Sequence, residues 1–331
     1  MGINLSLSHT AIDKLITAEE RALRSADHPP EVVEAVFRYG AFIGGTILAF
    51  PTLQRGMEYA RQLIQEHEKS GRSFAGGTVI SAAELTGGRG RFQRYWHAPS
   101  GGIWLTLVLV NTLLPESSRL LPLAAGVACC ETIQHYVPEA KLKWVNDVHV
   151  NGKKICGILA ETLIGKESGE EYILIGIGIN ANNTVFPPEI AGQACSIKSV
   201  SGVDVDITQL AVRLLAKLTW NMGLLYYLEA RQLQEFGYEE MDAAHGKLLL
   251  HRWRQLSDTI GRRVVFGFDV QQQPQFEAEV LDVDDEGGLH LRNLQDNTHI
   301  VEHSGEILYL DSRKTVKGEG PKRVCRVEKE S

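Results

Sequence analysis

The chain contains 331 residues, of which 44% are hydrophobic and 23% charged, and its formal net charge is −7 at pH 7. This composition is typical of a globular protein with room for two domains. The acidic balance argues against a DNA-binding protein, and no apolar run has the length of a membrane span. Five scattered cysteines without a C-x-x-C pair indicate a reducing, cytoplasmic location and no protein-bound metal.

Residues 1–39 are polar with helical patches and predict an N-terminal helical extension. From residue 40 onward, strands and helices alternate. The patterns predict strands at "GGTILAF" and "GTVISAAEL", with an amphipathic helix in "TLQRGMEYARQLIQEHEKSG" between them. A further strand is predicted at "GGIWLTLVLV", because it is rich in β-branched residues, and a buried helix at "RLLPLAAGVACCETIQHYV".

The second half of the chain predicts a hairpin, a helical stretch and a small barrel. "KLKWV" and "HVNGKKICGILAETL" have strand patterns, and Asn151-Gly152 is a type I′ turn signal. "EEYILIGIGIN" predicts another strand, and residues 207–245 predict one or two helices. Five short strands after residue 259 predict a small closed barrel, and residues 312–331 a charged, disordered tail.

The stretch "GGRGRFQRYW" at residues 87–96 sets three arginines among glycines. Guanidinium groups and glycine backbone amides suit phosphate oxygens, and glycine lets the backbone approach a ligand closely. The stretch is not a Walker A motif, because no G-K-[ST] follows. The alternative is a solvated turn, which the alternation of glycine and arginine disfavours. We therefore predict a phosphate-binding loop.

A second candidate is "KLKWVNDVHVNGKKICGILAE", in which Lys143 lies at a strand end between Leu142 and Trp144. A lysine shielded by apolar neighbours interacts strongly with a carboxylate or phosphate. Gly157 interrupts a strand pattern, which indicates close approach of a ligand or another backbone. The third candidate, "IGIGIN", ends at Asn180 and lacks the third glycine of a dinucleotide fingerprint, so Rossmann-type binding is rejected.

In order and spacing, "GGRGRFQRYW", "SGGIWLTLVL", "KWVNDVHVNGKKICGILAE" and "IGIGIN" resemble the catalytic domain of biotin–protein ligases. That family shows G-R-G-R-x-x-R-x-W, then K-W-P-N-D, a G-I-L-x-E strand and a G-x-G-x-N strand. The resemblance covers roughly residues 40–311 and describes a divergent member without a DNA-binding domain. It implies an α+β fold: a mixed sheet packed with helices, class II synthetase-like, at 40–258, and an SH3-like barrel at 259–311.

The resemblance implies a two-step reaction with ATP and Mg²⁺. Biotin would be activated to biotinyl-5′-AMP and then transferred to a lysine on the carrier domain of a carboxylase. It also makes a homodimer plausible. Mobile cationic residues closing over the mixed anhydride would exclude water, and no covalent enzyme nucleophile is needed.

By the same resemblance, Lys143 and Arg91 would be catalytic, with Lys143 contacting the biotin carboxylate and the reacting phosphate. Trp96 would pack near the adenine. Biotin would be bound by Thr52, Arg89, Gly90, Arg91, Gly101, Gly102, Lys143, Gly157 and Ile158. ATP and the adenylate would be bound by Gly88, Arg89, Arg91, Trp96, Asn146, Asp147 and Asn180.

Departures from the family pattern fall at positions expected to contact the acid, not at those expected to contact the nucleotide. Aligning the family's Ser-Thr-Asn with "FPTLQR" puts Pro51 and Leu53 around Thr52, and Leu85 stands where the family has glutamine. Loss of hydrogen bonds to a buried ureido ring would cost about 1–3 kcal/mol each. Three alternatives follow: a ligase for lipoate or a fatty acid, a non-catalytic ligand-binding or regulatory homologue, and a transcriptional repressor. The short N-terminal region disfavours the repressor.

Overall fold

A computed structural model describes residues 7–145, 147–236 and 247–310 of the chain. The predicted tail at 312–331, Asn146 and Cys325 lie outside the described residues. The other four cysteines are buried and unpaired.

The centre of the fold is a seven-stranded mixed sheet, as predicted. Its order is β1-β2-β3-β7-β6-β5-β4; β1 and β2 are parallel, and every other neighbouring pair is antiparallel. Asn151 and Gly152, with φ of 51° and 78°, form the predicted turn between β5 and β6. The strands are β1 Ile47–Leu53, β2 Thr78–Leu85, β3 Ile103–Val110, β4 Lys141–Lys143, β5 Asp147–Val150, β6 Lys153–Ile164 and β7 Glu171–Ile179.

Ten α-helices accompany the described strands, and a π-helical turn, Ile16–Glu20, follows the first. None of the described helices is both long enough and apolar enough to cross a bilayer. The helices are α1 His9–Leu15, α2 Arg21–Ser25, α3 Pro30–Gly40, α4 Gly56–Lys69, α5 Pro115–Ser118, α6 Leu121–Gln134, α7 Pro188–Ala191, α8 Ile197–Ser201, α9 Ile207–Phe236 and α10 Lys247–Leu256.

The two faces of the central sheet are covered differently. α6 and α9 pack together within the larger hydrophobic core, and α6 is buried nearly all round, as predicted. On the other face α4 alone contributes Ala60 and Ile64 to a smaller core with Tyr172 and Leu174 of β7. Since one 14-residue helix cannot cover the whole sheet, part of that face stays open for a site.

The N-terminal helices are tied to the body of the protein by buried charges. Arg24 donates to Glu131 of α6 at 3.1 and 2.5 Å, and Lys217 of α9 donates to Glu20 at 2.8 Å. All four side chains are buried. Arg252 of α10 adds a further bond to Glu131 at 2.8 Å. The cluster joins four separate segments of the chain, so the extension is an integral part of the fold.

The five predicted C-terminal strands are confirmed, and they form one antiparallel sheet in the order β11-β10-β9-β8-β12. This sheet is joined to the end of β4: the indole of Trp144 donates to the carbonyl of Gly287 at 3.2 Å. The strands are β8 Arg263–Gly267, β9 Phe276–Val283, β10 Leu289–Asn293, β11 His299–Glu302 and β12 Glu306–Tyr309.

Candidate active site

One row of paired residues crosses the central sheet and carries most of the site. Neighbours in this row are direct partners in the strand ladders, so their side chains stand side by side on the face that α4 covers elsewhere. The row spans β2 to β4, about 24 Å at the usual strand spacing. It runs Ala82, Trp104, Gly178, Gly157, Asp147 and Lys143.

The two glycines at the centre of this row form a floor without side chains, and Trp96 lies on it. A Cβ atom added to Gly178 would come within 2.7 Å of Trp96 Nε1, and one added to Gly157 within 3.1 Å of its Cζ3. Trp104 meets Trp96 edge-on, with ring centroids 6.5 Å apart. Trp96 Nε1 is buried and has no hydrogen-bond partner among the residues that the structure describes. The glycines are therefore needed to seat the indole.

Residues 87–96, here called the arginine loop, are folded as a narrow hairpin. Trp96 N donates to the carbonyl of Gly88 at 2.9 Å, and Gly90 N donates to that of Arg94 at 2.9 Å. A 3₁₀ turn, Arg91–Gln93, closes the tip, where Phe92 has a φ of 54°. A Cβ atom on Gly88 would lie 2.6 Å from the Trp96 carbonyl oxygen, so this position requires glycine.

The tip of the arginine loop is bound to the C-terminal sheet. Arg91 Nη1 donates to the carbonyl of Gly305 at 2.6 Å. Arg94 Nη2 forms ion pairs with Asp269 at 2.9 Å and with Glu306 at 2.6 Å. Burial disfavours the charge on Arg94, but the two carboxylates more than compensate and raise its pKa. The C-terminal sheet thus fixes the position of the loop tip.

Lys143 lies at the β4 end of the row. Burial lowers the pKa of its ammonium group, against the opposing influence of the neighbouring Asp147 carboxylate. No hydrogen bond or ion pair to Lys143 is found within 7–145, 147–236 and 247–310. Asp147 instead pairs with Lys154 at 2.6 Å, and Lys154 Nζ lies 5.3 Å from the Trp96 ring centroid. Lys143 is therefore a shielded cation available to an anionic ligand.

A cleft of about 950 Å³ joins the row, the arginine loop and the C-terminal sheet. Its lining has a surplus of positive charge, which suits a polyanionic ligand. Arg61 and Glu161 pair with each other within it. The lining cations are Arg55, Arg61, Arg89, Arg91, Arg94, Lys143 and Lys154, and the lining carboxylates are Glu58, Asp147, Glu161 and Glu306.

The structure brings most of the predicted site residues together. Asn180, whose side-chain oxygen accepts from Asn183 at 3.0 Å, lies on the lining with them. Asn146 lies outside the described residues. The predicted residues that line the cleft are Gly88, Arg89, Gly90, Arg91, Trp96, Lys143, Asp147, Gly157, Ile158 and Asn180.

Three predicted residues are not part of the cleft lining. Thr52 is exposed on the edge strand β1, opposite Glu84. The carbonyl of Gly101 accepts from Asn182 N at 2.6 Å and shapes the adjacent turn. Gly102 acts indirectly, because a Cβ atom there would lie 2.2 Å from the Trp104 ring. The two glycines thus position neighbours of the cleft.

The strand-to-helix junction lies at the end of "FPTLQR", after the triplet 51–53. β1 continues through Pro51 and Thr52, and α4 begins only at Gly56. The junction residues that line the cleft are Arg55, Gly56 and Met57. Arg55 Nε donates to the carbonyl of Gly87 at 3.0 Å, which joins the start of α4 to the arginine loop. Of the triplet 51–53, only Leu53 lines the cleft.

Sequence reasoning missed the contribution of the C-terminal sheet. Asp269, Glu306 and Tyr309 all line or close the cleft, yet they lie more than 170 residues from the arginine loop. Nothing local in those strands indicates a site. Arg94 did carry a signal, since it is the last arginine of the motif that ends at Trp96.

Comparison with known proteins gives a consistent family. Residues 61–180 match the model of the biotin/lipoate A/B protein ligase family. The chain is 30% identical over 240 residues to a biotin–acetyl-CoA-carboxylase ligase of Mycobacterium tuberculosis, covering 71% of this chain and 79% of that protein. It is 37% identical over 144 residues to the bifunctional ligase/repressor BirA of Bacillus spizizenii. That match covers 42% of this chain and spans only 44% of the Bacillus protein.

The fold also has counterparts among solved structures. The biotin protein ligase from Aquifex aeolicus in complex with biotin and ATP superimposes with a TM-score of 0.60 at 20% identity. The match covers 80% of this chain and 99% of that one. A biotin protein ligase-like protein of unknown function from a Silicibacter species gives a TM-score of 0.51 at 15% identity, covering 79% and 94% of the two chains. At these identities the likeness shows a shared α+β architecture.

Proposed function

The chain belongs to the biotin–protein ligase family, and we propose that it activates biotin with ATP and transfers it to a lysine of a carboxylase carrier domain. The observation that carries the proposal is the sheet row: Lys143, without an ion-pair partner among the described residues, stands beyond a bare glycine floor under a cationic loop. Such a cleft can hold an acid and a nucleotide side by side.

In the first step, a carboxylate oxygen of biotin attacks the α-phosphorus of ATP, and pyrophosphate leaves. Negative charge accumulates on the α-phosphate, where fixed cations stabilise the transition state. Lys143 is suited to contact both the carboxylate and that phosphate. In the second step the acceptor amine attacks the acyl carbon, loses a proton and displaces AMP. Neither step needs a covalent bond to the protein.

ATP would occupy the part of the cleft lined by Trp96, Asp147 and Asn180, with Arg89 and Arg91 toward its phosphates. Mg²⁺ would arrive with the nucleotide, because it favours phosphate oxygens and water together with one or two carboxylates. Asp147 is a carboxylate of the lining able to serve that purpose. Within the described parts of the chain, no group of three or more His, Cys, Asp or Glu side chains is arranged as a metal cage.

The test of this proposal is ATP–pyrophosphate exchange with a panel of acids. We expect biotin to support exchange, and lipoate and octanoate to support little. Exchange with another acid and none with biotin would show that the other acid, and not biotin, is the substrate. Absence of exchange with every acid would favour the non-catalytic homologue, provided that a thermal denaturation curve shows the protein to be folded.

A second candidate function is ligation of a less polar acid, such as lipoate or a fatty acid. The specific observation is that Leu53, Met57 and Leu85 line the cleft beside the arginine loop. Thioether and aliphatic side chains offer a ureido ring no strong hydrogen-bond partner. Arg55 counts in favour of biotin, since a guanidinium group donates well to a carbonyl oxygen.

Loosening the arginine loop should release the acyl-adenylate. In the double variant Asp269→Asn with Glu306→Gln, Arg94 loses both charged partners at similar volume. We expect biotinylation of bystander lysines on serum albumin to rise about tenfold, as expected from loss of charge-assisted hydrogen bonds. Mass spectrometry of the albumin measures it. Glu279→Gln, which removes a half-buried partner of the exposed Arg292 in the same sheet, is the control. Equal leakage in all three proteins would contradict this role.

We further propose the division into an extension at 1–39, a catalytic domain at 40–258, a barrel at 259–311 and a tail at 312–331. A cytoplasmic location, a homodimer and the lack of DNA or membrane partners complete the proposal. Analytical ultracentrifugation of the full chain tests the dimer.

A further inference from the structure

The Lys143 ammonium lies over an aromatic ring of the C-terminal sheet. Lys143 Nζ lies 5.4 Å from the centroid of the Tyr309 ring, within the range of a cation–π contact. Both residues line the same cleft. Tyr309 ends β12, 166 positions from Lys143 along the chain, so this contact depends on how the two sheets are docked.

The Tyr309 ring is held in place by its hydroxyl group. The hydroxyl donates to Asp258 Oδ1 at 2.9 Å and lies 2.9 Å from Thr259 Oγ1. Asp258 is in turn bound by His149 Nε2 at 2.9 Å and by Arg262 Nη2 at 2.9 Å. Two hydrogen bonds to its hydroxyl group therefore restrain the Tyr309 ring.

The same short segment also fixes the backbone that carries Lys143. Thr259 Oγ1 accepts from Trp144 N at 3.1 Å, and Ser257 Oγ donates to the carbonyl of Leu142 at 3.0 Å. The bonds therefore reach the residues on both sides of Lys143. Since Thr259 accepts from Trp144, its own proton is free to point at the Tyr309 oxygen.

We propose that Tyr309 is a positioning residue, whose ring face, anchored through Asp258 and Thr259, fixes the Lys143 ammonium in its reactive place. The inference rests on the proposed function, because it assigns Tyr309 an effect through Lys143. Other charges face Lys143 from neighbouring elements: Asp147 on β5, Lys154 on β6, Asp258 after α10 and Glu306 on β12. Only Tyr309 has its ring face in contact with this ammonium among the described residues.

The kinetic test compares Tyr309→Leu with Tyr309→Phe. Tyr309→Leu removes the ring and should lower kcat for pyrophosphate exchange about tenfold with little change in the KM for ATP, since a desolvated cation–π contact has that effect. Tyr309→Phe keeps the ring and should lose about threefold, because only the anchor is gone. Arg292→Gln, which removes an ion pair with Glu279 in the same sheet but away from the cleft, is the control and should stay within about twofold of the wild type.

A second measurement does not depend on turnover. In protein carrying ¹³C at the lysine Cε, the Lys143 signal, assigned with Lys143→Arg, should be shifted upfield by the ring current of Tyr309. The shift should persist in Tyr309→Phe and vanish in Tyr309→Leu. An unshifted Lys143 signal in the wild type, or kcat within twofold of wild type for Tyr309→Leu, overturns the inference. Absence of exchange in the wild type with an upfield Lys143 signal instead overturns the proposed function alone.

Discussion

Replacing Lys143 by methionine is expected to lower the rate of ATP–pyrophosphate exchange about 1,000-fold, because one preorganised charge at the reacting centre is lost. Methionine keeps the length of the side chain and its apolar packing. The fold should stay intact, since no ion pair to Lys143 is found among the residues that the structure describes. Exchange kinetics and thermal denaturation of the same preparation measure both effects.

The matched control is Lys141→Met on the same strand. Lys141 pairs with His149 in the ladder and does not line the cleft, so its loss should leave exchange within about twofold. Lys143→Arg separates charge from shape, because a planar guanidinium group cannot occupy the position of a compact ammonium. Exchange by Lys143→Met at more than a tenth of the wild-type rate would exclude the catalytic assignment.

Glu131→Gln is expected to lower the free energy of unfolding by about 3–5 kcal/mol, more than the other variants described. Breaking a buried ionic cluster leaves the charges of the remaining partners buried without a counter-charge. Arg24, Lys217 and Arg252 all pair with this carboxylate, and Arg24 and Lys217 are buried. Urea denaturation followed by circular dichroism measures the change. The control, Glu279→Gln at an exposed pair, should change the free energy of unfolding by less than about 1 kcal/mol.

The same carboxylate should make stability fall at acid pH. Burial alone would raise the pKa of Glu131, but Arg24, Lys217 and Arg252 lower it to about 2. Because the pKa is depressed, the folded state binds the proton at a lower pH than the unfolded state does. The free energy of unfolding therefore falls as the pH drops from about 4.5 toward 2. The share of Glu131 is roughly 3 kcal/mol. Glu131→Gln should show a correspondingly flatter stability–pH profile in this window.

The seven-stranded sheet and most of the candidate site could be predicted from sequence because their signals are local. Alternating and apolar patterns fixed the strands, and the Asn151-Gly152 turn fixed the hairpin that aligns Asp147 with Gly157. Gly157 stood out because a glycine inside a strand indicates close approach, and the approaching groups are the side chains of Lys154 and Trp96. The family resemblance joined these local signals into one cleft.

The rest could not be predicted because it depends on docking across long sequence separations. Tyr309 and Glu306 have ordinary neighbours in sequence, and only the packing of the C-terminal sheet brings them to the cleft. Thr52 illustrates a second limit. A strand end is uncertain by several residues when no capping residue marks it, and Arg55 at the start of α4 makes no side-chain cap.

The geometry of the candidate site along the row from Ala82 to Lys143 depends on the register of the strands. Side chains alternate between faces along a strand, so a slip of β6 by one residue would put Cys156 or Ile158 at the position of Gly157. The floor would then carry a side chain where Trp96 now rests, and Asp147 would lose its place beside it. A molecule with β6 out of register would therefore lack the glycine floor of the candidate site. Activity per folded molecule therefore measures how faithfully this sheet has assembled.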